Sequence, residues 1–173
     1  MQLRRQAEEV KNLNRNPVFV ILDNVRSALN VGAVFRSCDA TLVEKLFLCG
    51  ITAYPPHNKI PKTAIGATEV VPWEYAKNTV EVIKKLKEEG VTIASVEITP
   101  NSMNYADFEF PKPVAIVLGH EIHGVSDEVR ELSDVTLEIP MLGRANSLNV
   151  ATTTGIVLYE VIRQWGVPFV EGK

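Results

Sequence analysis

Ile139 to Glu160 reads IPMLGRANSLNVATTTGIVLYE. An apolar strand end (Val135, Leu137, Ile139) runs into a turn of Pro140, Met141 and Gly143, then a polar cluster (Arg144, Asn146, Ser147, Asn149), then a long helix through Trp165. A strand ending in this way delivers backbone groups and short polar side chains to a ligand. The same strand-then-helix alternation extends upstream. Val114–Leu118 (VAIVL) ends in Gly119, and Ser126 with Asp127 and Glu128 opens a helix whose first-turn charge suits the helix dipole. Val91–Ile98 is a strand, preceded by a helix that Asn78 and Glu81 open in a capping-box pattern and Gly90 closes. Lys45–Cys49 (KLFLC) and Val18–Leu22 (VFVIL) are further strands, and between them Asn30 is read as the N-cap of a helix to about Ala40 that carries Val31, Val34 and Phe35 inward. Unbroken β-branched runs suit strands covered on both faces, so the expectation is an α/β fold: a mainly parallel sheet with helices on both faces.

The connections are polar. Ile51–Ile65 carries three prolines and reads as a long surface loop, Asn101–Pro113 as another. Residues 1–16, with Leu3, Ala7, Val10 and Leu13 at helical spacing and Arg4, Arg5, Lys11 and Arg15 around them, read as a short amphipathic basic helix or extension ahead of one domain over residues 17–173. A length of 173 residues suits a single core, and 46% hydrophobic with 23% charged residues excludes disordered and fibrous classes. No apolar run is long enough to span a bilayer and the N-terminus lacks a signal-peptide centre, so a cytoplasmic protein is expected. Cys38 and Cys49 lie in or beside apolar segments without metal-ligand spacing and read as buried thiols. A net charge of −3 means that any nucleic acid must be held by a local basic patch.

In open parallel sheets, ligands bind beyond the carboxyl ends of the strands. Four such ends lead into polar loops here: 24–36, 99–104, 119–126 and 141–149. The loop GHEIHG sets His120 and His123 three apart, the wrong spacing for a helical zinc motif, so no metal is expected. G-x-G-x-x-G after the first strand, the phosphate loop G-x-x-x-x-G-K-[ST] and the G-x-S-x-G elbow are all missing, which argues against the usual nicotinamide, nucleoside-triphosphate and serine-hydrolase sites.

NVGAVFRSCDA is more informative. On a helix begun at Asn30, Arg36 shares its face with Gly32, Ala33 and Ala40, which leaves room for a ligand backbone beside a group suited to phosphate. Each residue also has a plain structural reading: Arg36 as an exposed surface charge, Asn30, Ser147 and Asn149 as caps, and Glu121 as a loop carboxylate.

Taken together, the segments resemble the three motifs of the SpoU (TrmH-type) family of RNA 2′-O-ribose methyltransferases, in the SPOUT class. Asn30, Gly32 and Arg36 match the first motif and Gly119, Glu121 and Gly124 in LGHEIHGVS match the second. Ile139, Pro140, Met141, Gly143, Ser147, Leu148 and Asn149, with Tyr159 and Glu160, match the third, and the likeness runs from about Pro17 to Gln164. The resemblance implies a deep trefoil knot in the C-terminal part of the sheet, whose strand ends bind S-adenosylmethionine largely through main chain, here at Val96, Gly119, Ile139, Met141 and Leu148. It implies a homodimer, with the last helix at the interface and Ile156, Val157, Ile162 and Trp165 as its apolar candidates. It also implies catalysis by Arg36, with Asn30, Glu121, Ser147 and Asn149 holding the geometry. Either Arg36 or a phosphate oxygen takes the ribose proton. No RNA-binding domain precedes the motifs in this sequence, which favours tRNA over rRNA, and Arg4, Arg5, Lys59 and Lys62 are the candidates for phosphate contacts. The competing readings are a knotted RNA-binding homologue without turnover and an α/β nucleotide-binding enzyme of another reaction.

Overall fold

Fully buried β-branched runs cannot stand at a sheet edge, and in the computed structural model, which describes residues 5–166, they occupy its middle. Seven strands are described: β1 (Asn16–Asp23), β2 (Val43–Cys49), β3 (Trp73–Ala76), β4 (Thr92–Val96), β5 (Met103–Asn104), β6 (Val114–Leu118) and β7 (Val135–Glu138). They pair in the order β3-β2-β1-β6-β4-β7-β5, and every pairing is parallel. All the carboxyl ends therefore lie along one edge, with Asp23 beside Cys49 and Cys49 beside Ala76.

Alternation along each strand sends side chains to two apolar layers. Val18, Val20, Leu22, Leu46 and Leu48 face α2 (Ala28–Ala40) and α6 (Val150–Trp165), with α3 (Ile60–Ala64) packed on α2. Ile21, Phe47, Ile93 and Val117 face α4 (Thr79–Glu88) and α5 (Asp127–Leu132). The five ion pairs among the described residues are all at least partly exposed, and such pairs contribute under about 1 kcal/mol each, so apolar burial holds the fold. Cys38 and Cys49 are buried and free, and burial pushes both thiols up.

Several expectations need correction. The N-terminal helix α1 runs only from Ala7 to Lys11 and buries none of its residues, while Leu3 and Arg4 lie outside the described residues. Arg15 is no free basic group, since its guanidinium donates to the carbonyls of Val43 and Val70. The loop over Ile51–Ile65 contains α3, masked by its prolines because Pro61 sits in the first turn, where a missing N–H is tolerated. The edge strands β3 and β5 escaped the pattern because they are short and mostly exposed, without an apolar run. Asn78 does cap α4 through Val80, but the bond back from Glu81 is not among its contacts. Ser126 stands at the N-cap position of α5 without a side-chain capping bond, its hydroxyl being turned to donate to Asp23.

At Gly32 an added Cβ would lie 2.1 Å from Thr63 Oγ1 and 2.4 Å from the Ile60 carbonyl. The space below Arg36 is thus taken by α3 and is not open to a ligand. The small residue serves helix-to-helix contact, which Thr63 completes by donating to the Leu29 carbonyl.

Candidate active site

The loop after β1 is fixed before it reaches the site. Asn24, at φ 58°, accepts from the Ile51 N–H, and the Val25 N–H donates to Thr52, whose hydroxyl donates to the Leu22 carbonyl. Ser27, three residues ahead of the expected cap, is the N-cap of α2 and accepts from the Asn30 N–H at 3.3 Å. That placement frees the Asn30 amide. Its Nδ2 donates to Glu121 Oε1 at 3.0 Å and its Oδ1 accepts from Asn149 Nδ2 at 3.0 Å. Asn149 caps α6, accepting from the N–H groups of Ala151 at 2.9 Å and Thr152 at 3.4 Å.

Donor and acceptor types orient this relay without ambiguity. An ionised carboxylate only accepts, so Asn30 must turn its NH₂ to Glu121 and leave its oxygen for Asn149. Glu121 also receives the N–H groups of Arg26 and Ser27, both at 2.9 Å. Partial burial raises its pKa, but those backbone donors and the Asn30 amide outweigh it and hold the carboxyl below its ordinary value. A carboxylate depressed in this way contributes stability that is fully present above its unfolded pKa of about 4.3 and is lost as pH falls through the lower folded value. The stability difference between the wild type and Glu121→Gln is therefore expected to stay constant from pH 8 to 5 and to shrink only in stronger acid. Urea melts across that range check it, and a difference that already shrinks between pH 7 and 5 contradicts the depressed carboxyl.

The loop bearing Glu121 is a tight turn at the end of β6. His120 and Gly124 exchange both backbone hydrogen bonds, at 2.9 and 2.8 Å. A Cβ on Gly119 would lie 2.1 Å from the Gly124 carbonyl carbon and 2.2 Å from its oxygen. Two carboxylates that motif reasoning missed seat the turn. Glu97 accepts from the Ile98 and Val125 N–H groups and lies against Gly124, whose φ of 69° suits glycine. Asp23, 2% exposed, accepts from Thr79, Asn24 and both donors of Ser126. The available signal was positional: each carboxylate closes or directly follows a buried strand. His120 Nδ1 accepts from the Ile122 and His123 N–H groups, so that nitrogen is already engaged.

The other expected residues are not all gathered here. Arg36 is exposed, has no hydrogen bond or ion pair among the described residues, and stands about 9 Å further along α2 than Asn30 at 1.5 Å per residue. Ser147 lies on the exposed stretch 142–149 and bonds to nothing described. Val96 and Ile139 are partly buried against the core, Met141 is half-buried and Leu148 is 39% exposed.

The chemistry of this region suits an adenosyl group. Residues 139–148 make no main-chain hydrogen bond among the described residues, which leaves donors and acceptors available. Ile98, Ile122, Leu142 and Leu148 expose apolar surface on the three loops that follow β4, β6 and β7.

The model of the SpoU rRNA Methylase family matches residues 17–159. A tRNA (guanosine(18)-2′-O)-methyltransferase of Aquifex aeolicus is 34% identical over 164 residues, spanning 92% of this chain and 75% of that protein. The protein of the same name from Thermus thermophilus is 32% identical over 161 residues, spanning 93% and 82%. The crystal structure of the A. aeolicus TrmH/SpoU tRNA modifying enzyme superposes with a TM-score of 0.84 at 32% identity, over 92% of this chain and 81% of that one. AviRb of Streptomyces viridochromogenes, in complex with AdoMet, superposes with a TM-score of 0.82 at 26% identity, over 92% and 65%.

Proposed function

This chain belongs to the SpoU rRNA methylase family, and on that footing we propose that it transfers the methyl group of S-adenosylmethionine to a ribose 2′-hydroxyl of tRNA. The relay Asn149–Asn30–Glu121 carries the reading, because it ties the three motif segments together at the carboxyl edge of the sheet.

A ribose hydroxyl is a very weak acid, so the site must stabilise negative charge as it develops on that oxygen. S-adenosylmethionine supplies an electrophilic methyl carbon whose bond to sulfur breaks as the bond to the ribose oxygen forms. The main chain around Val96, Gly119, Ile139, Met141 and Leu148 binds it. Arg36, exposed and without a hydrogen bond or ion pair among the described residues, lies against the phosphate or ribose of the target nucleotide and stabilises the forming alkoxide. The proton leaves either to Arg36 or to a phosphate oxygen. Arginine is ordinarily always protonated, so the phosphate route asks less of the side chain. The relay fixes the start of α2 and Ser147 stands beside the ribose. No step calls on a metal ion.

Residues 17–173 form the catalytic unit in this proposal and residues 1–16 an extension; a chain begun at Pro17 that neither folds nor transfers methyl contradicts that division. The trefoil threading of the C-terminal part belongs to the same reading, and a crystallographic trace from Val91 to Trp165 checks it. The protein acts as a homodimer. Of the expected interface residues, Val157 and Ile162 are buried in the chain's own core and the Trp165 indole donates to the Phe110 carbonyl, which leaves half-buried Ile156; Tyr159, 49% exposed on the same helix, is added to it. Sedimentation as a monomer at micromolar concentration contradicts it. Among the described residues no helix is long and apolar enough to cross a membrane. A cytoplasmic location follows from the tRNA substrate and is checked by cell fractionation.

Incubation with labelled S-adenosylmethionine and total RNA, followed by mapping of 2′-O-methyl sites, tests the function. Label in tRNA is expected. Label confined to rRNA redirects the substrate, and none in any RNA leaves the non-catalytic homologue.

A further inference from the structure

The motif residues leave one exposed feature on the carboxyl edge unused. Tyr54, in the loop after β2, and Tyr75, on β3, stack with ring centroids 4.2 Å apart and an interplanar angle of 34°. Both stay open to solvent, at 44% and 37% exposure. Tyr75 is anchored to the sheet and Tyr54 packs on it. The Tyr75 hydroxyl donates to the Gly50 carbonyl at 3.0 Å, and Asn24 packs against Gly50 and accepts from the Ile51 N–H. Asn24 directly precedes the loop whose Arg26 and Ser27 N–H groups bind Glu121. The rings are therefore built onto the same scaffold as the candidate active site, two strand spacings or about 10 Å from β1 across the sheet.

Charge says what would cover them. From Gly50 to Thr68 the chain carries His57, Lys59 and Lys62 and no acidic residue, in a protein of net charge −3. Glu74, the acidic neighbour of Tyr75, is engaged by Lys45. Exposed Ile51 and Ile65 add apolar surface, and Pro55, Pro56, His57, Ile60 and Pro61 help to line a concavity of about 370 Å³. An aromatic pair on a stretch of chain that carries lysines, apolar surface and no carboxylate matches an unpaired nucleobase and its flanking phosphates.

We propose that Tyr54 and Tyr75 form a stacking platform for an unpaired base of the RNA substrate, with Lys59 and Lys62 holding the adjoining phosphates. The proposal rests on the RNA-methyltransferase reading and names how this surface takes hold of that RNA.

Retention of unfractionated tRNA on filters by the full-length protein, measured over a salt series, tests it, with thermal melts confirming that each variant is folded. Tyr54→Ala is expected to bind about ten-fold more weakly at every salt concentration, the size of one lost base stack, and Tyr54→Phe to bind as the wild type. Lys59→Ala combined with Lys62→Ala is expected to flatten the salt dependence by roughly two phosphate contacts, which Tyr54→Ala does not. Unchanged binding by Tyr54→Ala overturns the platform, as does a loss in Tyr54→Phe equal to that in Tyr54→Ala, or no retention of tRNA by the wild type. A shift of Tyr54→Ala toward monomer in sedimentation assigns the patch to a second copy of the chain and also overturns it. If the binding dependences hold but no methyl is transferred, the platform stands and the methyltransferase reading falls. If methyl is transferred and Tyr54→Ala binds tRNA normally, the reverse holds.

Discussion

Arg36→Ala is expected to bind S-adenosylmethionine as the wild type does and to transfer methyl to tRNA about a thousand-fold more slowly, the scale of losing one charged or hydrogen-bonding stabiliser of a developing oxyanion. The expectation follows from what Arg36 does not do. It is exposed, supports no other described side chain, and stands on a helix whose core contacts come from Val31, Val34, Phe35 and Cys38. Its removal should change folding stability by no more than about 0.5 kcal/mol, as for surface substitutions generally. A loss of rate is then attributable to chemistry. Arg36→Lys keeps the charge but loses the planar fork, and should recover only part of the rate. Single-turnover transfer with saturating S-adenosylmethionine is the measurement. Wild-type rates in Arg36→Ala would remove the residue from the mechanism and return it to a solubilising surface charge.

The second large effect is structural. Gly119→Ala should destabilise the protein by at least about 3 kcal/mol, the upper range for overpacking, because the new methyl meets only backbone. Its three nearest atoms are the Gly124 carbonyl carbon and oxygen and the Val125 nitrogen, at 2.1 to 2.2 Å. A side chain in that position could rotate away, whereas this turn is clamped by both hydrogen bonds between His120 and Gly124 and by Glu97. Opening it also displaces Glu121 from Asn30, so S-adenosylmethionine binding should fall with stability. Gly155→Ala is the internal contrast. The nearest atom there is Ser37 Oγ at an ordinary 3.7 Å, and alanine in a helix interior gains up to about 1 kcal/mol over glycine. Urea denaturation of the two variants should move in opposite directions. A Gly119→Ala protein as stable as the wild type would mean that the turn is looser than its hydrogen bonds imply.

Much of the fold was legible because burial on both faces writes itself into composition. VFVIL and VAIVL have no polar alternation to lose, and they became β1 and β6, side by side at the centre of the sheet. β3 and β5 bury little and left no such mark. Asn30 shows the limit of local reading. It suits a helix start, and Ser27, three residues earlier, suits it equally well. The choice was made by Glu121 and Asn149, which lie 91 and 119 residues away and engage the Asn30 amide. Gly32 shows the same limit, because a glycine that opens space for a ligand and one that admits a neighbouring helix look identical until α3 is placed against it.

The sequence by itself determined the alternating strands and helices, and its resemblance to the SpoU family singled out Asn30, Arg36, Glu121, Ser147 and Asn149 as candidates. The alternation depends on local periodicity and residue chemistry, which the chain carries at every point. Only the tertiary structure decided that Asn149, Asn30 and Glu121 form one relay, that Glu97 and Asp23 seat the turn of the second motif, and that Tyr54 meets Tyr75. Hydrogen bonds and ring contacts of that kind depend on which strand ends the sheet order brings together, and that order is set by long-range packing that no short stretch of the chain encodes.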